Sequence, residues 1–198
     1  LDLDIGMNHR LCRPLKWDDA RQYDRGKVMT AAMLDEPGRD FGRYLDVDGD
    51  GIPYRTYPGT HPTKGSFFTR GTSRDRYAKY TEEAGPYVDN MQRLLRKFET
   101  AKDIVPRPLQ ANSAKPTKYG VIYYGSTSPA MDEAIHMIEA RGHQIDRLRL
   151  RAFPFHSSVA SFIADHDFVY VVEQNRDAQL RQLIVNENGI DPVRLVPI

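Results

Sequence analysis

The chain has one cysteine, Cys12, among 198 residues, and that scarcity removes two kinds of chemistry at once. No internal disulfide can form, which agrees with a reducing compartment, and one thiol cannot hold an iron–sulfur cluster that takes four thiolates. Long apolar runs are missing too. Nothing approaches the length of about 20 residues that crosses a bilayer, and no basic-then-apolar segment opens the chain. A cytoplasmic location without membrane contact is therefore expected. Charge of one sign is absent as well: 28 Lys and Arg stand against 27 Asp and Glu, spread along the chain for a net charge of +1. Without a polyelectrolyte tail to grip phosphates, no nucleic-acid partner is expected. Nor does a nucleophilic constellation emerge, because Cys12 has no identifiable base. His136, His143, His156 and His166 lack metal-ligand spacing with carboxylates or thiols, so packing or surface roles are expected for them and no catalytic residue is assigned.

What is present is ordinary for a globular protein: 40% hydrophobic and 28% charged residues, enough for one large domain or two small ones. The opening LDLDIGMN is apolar and strand-like, as though a domain were entered midway, and a fragment of a longer protein is expected. Pro106, Pro108 and Pro116 punctuate a polar stretch where apolar periodicity vanishes. That places a linker at 106–117, between a loop-rich segment 1–105 and a regular domain 118–198.

The last segment alternates. Tyr119 to Tyr124 is an apolar run ending at Gly125, and Ser128-Pro129 then opens a helix with Met131, Ala134, Ile135 and Ile138 on one face and Gly142 as its stop. Leu148, Leu150 and Ala152 alternate as a strand, and Val159, Phe162 and Ile163 mark a second helix. Phe168 to Val172 reads as a buried strand. Asp177 is placed to cap a third helix carrying Leu180, Leu183 and Ile184, with Gly189 ending it and a last strand over 192–198. Strand and helix alternating four times call for an α/β fold, a parallel sheet with flanking helices. Upstream, 86–102 has Val88, Met91, Leu94, Leu95 and Phe98 at helical spacing with Arg93, Arg96 and Lys97 opposite. Short helices are expected over 15–24 and 27–34, parted by Gly26. The stretch 37–81 has little regular pattern and is expected to lean on a partner.

Two upstream stretches carry chemistry. Gly59 to Asp75, GTHPTKGSFFTRGTSRD, brings His61, Lys64, Arg70 and Arg74 together with hydroxyls from Ser66, Thr69, Thr72 and Ser73, a composition suited to a carboxylate or phosphate. Gly65 and Gly71 would let the backbone approach a ligand, and Phe67-Phe68 would anchor the loop. The bland alternative is a solvated surface loop. Asp46, Asp48 and Asp50, followed by Gly51, reproduce the first half of a calcium loop, but Pro53 interrupts it and Tyr57 stands where a bidentate Glu is needed. An EF-hand is excluded. A looser metal site on the three aspartates competes with an Asp-Gly turn capped by its own side chains. In the last segment, Gly125-Ser126-Thr127-Ser128 opens a helix whose free N–H groups suit an anion, with plain helix capping the favoured reading, and Glu173-Gln174-Asn175 faces an interface or ligand crevice, with a subunit contact favoured.

The segment from GIPYRTYPGTHPTKGSFFTRGTSRD to KDIVP, with YYGSTSPAMDEAI and VEQNRDAQLRQLI, resembles the C-terminal part of the alpha subunit of 2-oxoacid:ferredoxin oxidoreductases, most like the 2-oxoglutarate type. The resemblance covers essentially the whole chain. It implies the end of a pyrimidine-binding domain followed by a transketolase-C-terminal-like domain over 118–198. It also implies membership of a thiamine-diphosphate enzyme that decarboxylates a 2-oxoacid, passes electrons through an iron–sulfur cluster to ferredoxin and forms an acyl-coenzyme A. The beta subunit of that family holds the diphosphate, magnesium and cluster, so none is expected on this chain alone. The family's magnesium-diphosphate signature is only half mimicked by Gly49-Asp50-Gly51, with no Asn at the required distance. Most of the pyrimidine-binding domain, with its activating glutamate, is not in this sequence, and the isolated chain is expected to be inert. On this resemblance Arg70 and Arg74 would neutralise oxoacid carboxylates, with Thr72 beside them. His61 and Lys64 would hold a distal carboxylate or a coenzyme A phosphate, and Asp75 would orient an arginine or form an internal salt bridge with one. The competing reading is a non-catalytic α/β module that docks subunits.

Overall fold

The computed structural model describes residues 7, 11–69, 71 and 73–198. Two compact units are present, one over Pro14–Ala101 and the other built on Lys102–Ile198. Among the described residues no helix is long and apolar enough to cross a membrane.

The second unit is the α/β domain. Strands β1 (Leu109–Ala111), β2 (Tyr119–Tyr124), β3 (Asp146–Leu150), β4 (Phe168–Val172) and β5 (Leu195–Pro197) form one five-stranded sheet in the order β1-β3-β2-β4-β5. The pairs β2–β3, β2–β4 and β4–β5 are parallel, and β1 runs antiparallel to β3 with Gln110 opposite Leu148. The stretch expected as a linker thus supplies the edge strand. It is pinned there by Ser113, whose N–H and O–H both donate to Asp146, and by Thr117, whose hydroxyl donates to the Gln144 carbonyl.

Because successive strand residues face opposite sides, Ile122, Leu148, Leu150, Val169, Val171 and Leu195 line one face. Helices α4 (Ser158–Ala164) and α5 (Gln179–Asn188) cover that face with Val159, Phe162, Ile163 and Ile184. Val121, Tyr123 and Ile145 face the other side, under Met131 and Ile135 of α3 (Thr127–Ala140). Each fully buried aliphatic or aromatic side chain contributes roughly 1.5–3 kcal/mol of transfer free energy, so this two-sided core carries the unit. Asp177 is not the N-cap of α5. That place falls to Ala178 in left-handed backbone, while the Glu173 carboxylate accepts the N–H groups of Leu180 and Arg181 and Asn175 Oδ1 accepts that of Gln179. Glu173 is accordingly buried.

The first unit has little regular structure. Helix α1 covers only Ala31–Asp35, capped by the Thr30 hydroxyl, while Lys27–Met29 is extended and pairs with Arg55. Residues 15–24 form no helix. Leu15, Trp17 and Tyr23 are exposed, so no buried face exists to stabilise one. The expected helix at 86–102 is α2, Ala84–Ile104, but its faces are reversed. Arg93 is its buried residue, whereas Val88, Met91 and Leu95 are exposed.

At β2 the sheet admits only glycine. A Cβ on Gly120 would lie 2.7 Å from the Phe162 ring and 3.2 Å from His166 Cγ. His166 is buried, with Nδ1 2.6 Å from the Phe162 carbonyl oxygen and Nε2 3.2 Å from Asp146 Oδ2. Gly120→Ala should destabilise the chain by about 1–3 kcal/mol through overpacking, measured as a lower urea midpoint with unchanged slope. Burial raises the Asp146 pKa, but the two Ser113 donors and the His166 ring outweigh it and hold the carboxyl below its ordinary value. A depressed carboxyl contributes stability that is present above the unfolded pKa of about 3.9 and is lost as pH falls through the folded value. Asp146→Asn should therefore flatten the acid limb of stability against pH below about pH 4.

Candidate functional site

The aspartate loop is organised by its own backbone. Asp46 Oδ1 accepts the Gly49 N–H at 3.0 Å and Oδ2 the Gly51 N–H at 3.1 Å, while Asp50 Oδ1 accepts the Ile52 N–H at 2.7 Å. These are the turn-capping bonds of the Asp-Gly alternative. The loop also brings one oxygen from each of Asp46, Asp48 and Asp50 within 4.8 Å of one another, close enough to share a cation. A cation from the chain is already there. Lys27 Nζ lies 2.7 Å from Asp48 Oδ1 and 2.6 Å from Asp50 Oδ2, and Arg96 Nε donates to Asp46 Oδ2 at 3.2 Å. Burial works against the Lys27 charge, but the two aspartates outweigh it and raise its pKa. For Asp50 burial acts upward, and Lys27 with the Ile52 N–H prevails to lower it.

Within the loop of 59–75 the structure separates what the sequence groups. His61 Nδ1 accepts the N–H groups of Thr63 and Lys64, which leaves Nε2–H to face Asp35 at 3.3 Å. Lys64 Nζ donates to the same carboxylate at 2.7 Å and to the Leu34 carbonyl at 3.1 Å. Its hydrogen bond is the main reason that Asp35 is held below the usual carboxylate range. His61 and Lys64 line a cavity of about 290 Å³ with Thr56, Tyr57 and Phe67, yet both already have an anionic partner. Asp35, at the end of α1, is the residue that sequence reasoning missed, and nothing in its local pattern marks it. Gly65 and Gly71 serve packing: a Cβ would meet Thr56 at 2.8 Å in the first case and the Tyr80 ring at 2.9 Å in the second. Phe67 packs beside Phe41 and under Arg43, whereas Phe68 is exposed.

Arg70 and Thr72 lie outside the described residues. Arg74 is 7% exposed, and its guanidinium lies over the Tyr80 ring with Cζ 5.5 Å from the centroid. Nη1 donates to the Ser73 carbonyl at 3.3 Å, while Nε and Nη2 are buried without a hydrogen-bond partner among the described residues. Asp75 does not orient it. The Asp75 Oδ1 atom accepts the backbone N–H groups of Tyr77 and Lys79, both at 2.9 Å, closing the turn that carries Ala78 at positive φ. Among the described residues Asp75 forms no bridge to an arginine.

At the carboxyl ends of β2 and β3, where ligands of open α/β sheets commonly sit, a cavity of about 700 Å³ is lined by Tyr124, Gly125, Arg151, Phe155 and Gln179 among others. Arg151 Nε is held by the Arg107 carbonyl. Glu173 and Asn175 at the same edge cap α5 and balance the positive helix end.

No protein-family profile matches the chain, and no curated protein does. Among solved structures, the fold is similar to the 2-oxoglutarate:ferredoxin oxidoreductase from Magnetococcus marinus, a structure with 2-oxoglutarate, coenzyme A and succinyl-CoA bound. The likeness has a TM-score of 0.68 at 19% identity and covers 82% of this chain and 28% of that one. The chain therefore spans about 28% of the length of the oxidoreductase chain it matches, and the likeness is one of fold.

The Lys27 ammonium sets the expectation for metal binding. Calorimetry of the chain with calcium or magnesium should give at most millimolar affinity, and Lys27→Met should strengthen it by releasing Asp48 and Asp50. Tight binding by the unaltered chain would contradict this account of Lys27.

Proposed function

We propose that this chain is part of a thiamine-diphosphate-dependent 2-oxoacid:ferredoxin oxidoreductase, the C-terminal part of its alpha subunit, acting on 2-oxoglutarate or a similar 2-oxoacid. The observation that carries the proposal is the fold likeness over 82% of the chain to an oxidoreductase chain. The GSFFTRGTSRD and VEQNRDAQL resemblance points the same way.

The residues present do not fit the cofactors. One exposed thiol, Cys12, cannot bind an iron–sulfur cluster. Gly51 of the Gly-Asp-Gly stretch is closed off by helix α2, and Asp50 is engaged by Lys27. In the proposed assembly the beta subunit holds thiamine diphosphate, magnesium and the cluster, and this chain contributes binding and orientation. Arg70 and Arg74, with Thr72, face the carboxylates of the oxoacid. His61 and Lys64 hold a second carboxylate or a coenzyme A phosphate by exchanging it for Asp35, and Asp75 fixes the turn that carries Arg74. Ferredoxin is the electron acceptor.

Purified from its source through a tag on this chain, the assembly should reduce ferredoxin, or methyl viologen in its place, when given a 2-oxoacid and coenzyme A. In that assembly Arg70→Ala should raise KM for the oxoacid by roughly ten- to a hundredfold while leaving the ferredoxin KM unchanged, because one charge-assisted bond is worth about 1.5–3 kcal/mol. An assembly that forms but is inactive with every 2-oxoacid offered would leave this chain as a subunit-docking module.

A further inference from the structure

We infer that the Asp35 carboxylate is a tethered competitor in a phosphate site, held by His61 and Lys64 until a phosphate group displaces it. This rests on the anion-binding role proposed above for those two residues and names what controls it. The His61 side chain is 12% exposed, and its Nδ1 takes the Thr63 and Lys64 N–H groups, which leaves Nε2–H as the one donor the ring can offer an anion. Lys64 is fixed as well. Its ammonium donates to the Leu34 carbonyl at 3.1 Å, a bond in which Asp35 has no part. The two donors converge on a single oxygen, Asp35 Oδ1, which lies 3.3 Å from His61 Nε2 and 2.7 Å from Lys64 Nζ.

Among the described residues every hydrogen bond and ion pair of the Asp35 carboxylate goes to those two side chains. The Asp35 side chain is 57% exposed, and helix α1 is anchored without it, by the Thr30 cap and by buried Leu34, which lies against Gly65. Displacement therefore takes the rotation of one side chain. An exposed ion pair is a weak hold, so Asp35 is an occupant that a better anion removes. The cavity of about 290 Å³ that His61 and Lys64 line also has Thr60, Ser66 and the Gly59 and Gly65 backbone in its wall, which gives a tetrahedral anion room and further hydroxyl donors. A second carboxylate would exchange like for like. A phosphate monoester brings roughly −1.5 to −2 of charge and three acceptor oxygens, so His61 and Lys64 each gain an oxygen of their own, and phosphate is the anion that profits from the exchange.

Binding of inorganic phosphate to the chain, followed by NMR through the backbone N–H signals around Lys64, tests the competitor by the sign of a mutational effect. Phosphate should shift those signals saturably, and sodium acetate at matched ionic strength should not displace it. Asp35→Asn removes the charge and keeps the shape. It should tighten phosphate binding roughly two- to fivefold, the range of an exposed ion pair, and Asp35→Glu, which restores a competing carboxylate, should return it to the affinity of the unaltered chain. If Asp35 only holds the loop together, Asp35→Asn frees His61 and Lys64 to wander and weakens phosphate binding, which overturns the proposal. Absence of saturable phosphate binding in both proteins, or equal displacement by acetate, overturns it too. In the purified assembly, a lower KM for coenzyme A on Asp35→Asn with oxoacid KM constant assigns the phosphate to the coenzyme, whereas a lower oxoacid KM would overturn the choice of phosphate. With both KM values constant, tighter phosphate binding assigns the site to free phosphate or another monoester. Tighter phosphate binding by Asp35→Asn in an assembly without oxidoreductase activity would uphold the competitor and refute the proposed enzyme.

Discussion

The first unit depends on the approach of one backbone to another at Gly51. A Cβ there would lie 2.7 Å from the Arg93 carbonyl oxygen and 2.8 Å from Lys97 Cα, and the backbone φ is 78°, so both the contact and the conformation require glycine. The contact is fixed by Arg93 Nη1, which donates to the Gly51 carbonyl at 3.1 Å, and by the Thr100 hydroxyl, which donates to the Asp50 carbonyl at 2.6 Å. The rest follows outward. The clamped loop presents Asp48 and Asp50 to Lys27, Lys27–Met29 pairs with Arg55, and Thr56 beyond it donates to the Gly65 carbonyl at 2.6 Å. A unit without a sheet is thus built from side chains that bind backbone. This explains how the described residues of 37–81 take a defined path with so little periodicity.

The same clamp explains why helix α2 was legible in existence but not in orientation. Its apolar stripe is plain in the sequence, and a stripe ordinarily faces the core. Here the opposite face carries Asn90, Arg93 and Thr100, which bind the Arg74, Gly51 and Asp50 carbonyls, and backbone acceptors without strand partners draw that face inward. Burial pulls the Arg93 pKa down, Arg43 adds to that, and Asp46 opposes it. Nothing in the spacing of residues 84–104 foretells those acceptors, because they belong to a loop far away in sequence.

In the second unit local pattern and tertiary structure agree, and most of it could be read directly: β2, β3, β4 and the three helices fall where apolar periodicity places them. The edge strand β1 escaped because Leu109–Ala111 is three residues long, flanked by prolines, and owes its position to Asp146 rather than to its own pattern. At the carboxyl edge of the sheet Asp177 reads as the helix cap, but the N-cap is Ala178, and Glu173 and Asn175 supply the acceptors that the first N–H groups need.

For the candidate site, nearness in sequence does not decide which groups meet. Proximity in sequence groups His61 and Lys64 with Arg74, yet folding pairs the first two with Asp35 and gives the third no carboxylate among the described residues. Other cations of this unit show what balance looks like: Lys27 lies between two aspartates, Arg96 meets Asp46, and Arg76 meets Asp89. Arg93, as buried as Arg74, has at least a carbonyl and Asn90 as acceptors. Leaving a buried donor unmatched costs about 1–3 kcal/mol, and more when the group is charged. Such a cost is tolerable only where the surrounding structure enforces it, as the Tyr80 ring, the Asp75 turn and the Asn90 bond do for Arg74. Arg74 is therefore set apart from the structural cations: its position is fixed as firmly as theirs, but among the described residues no acceptor matches its Nε and Nη2.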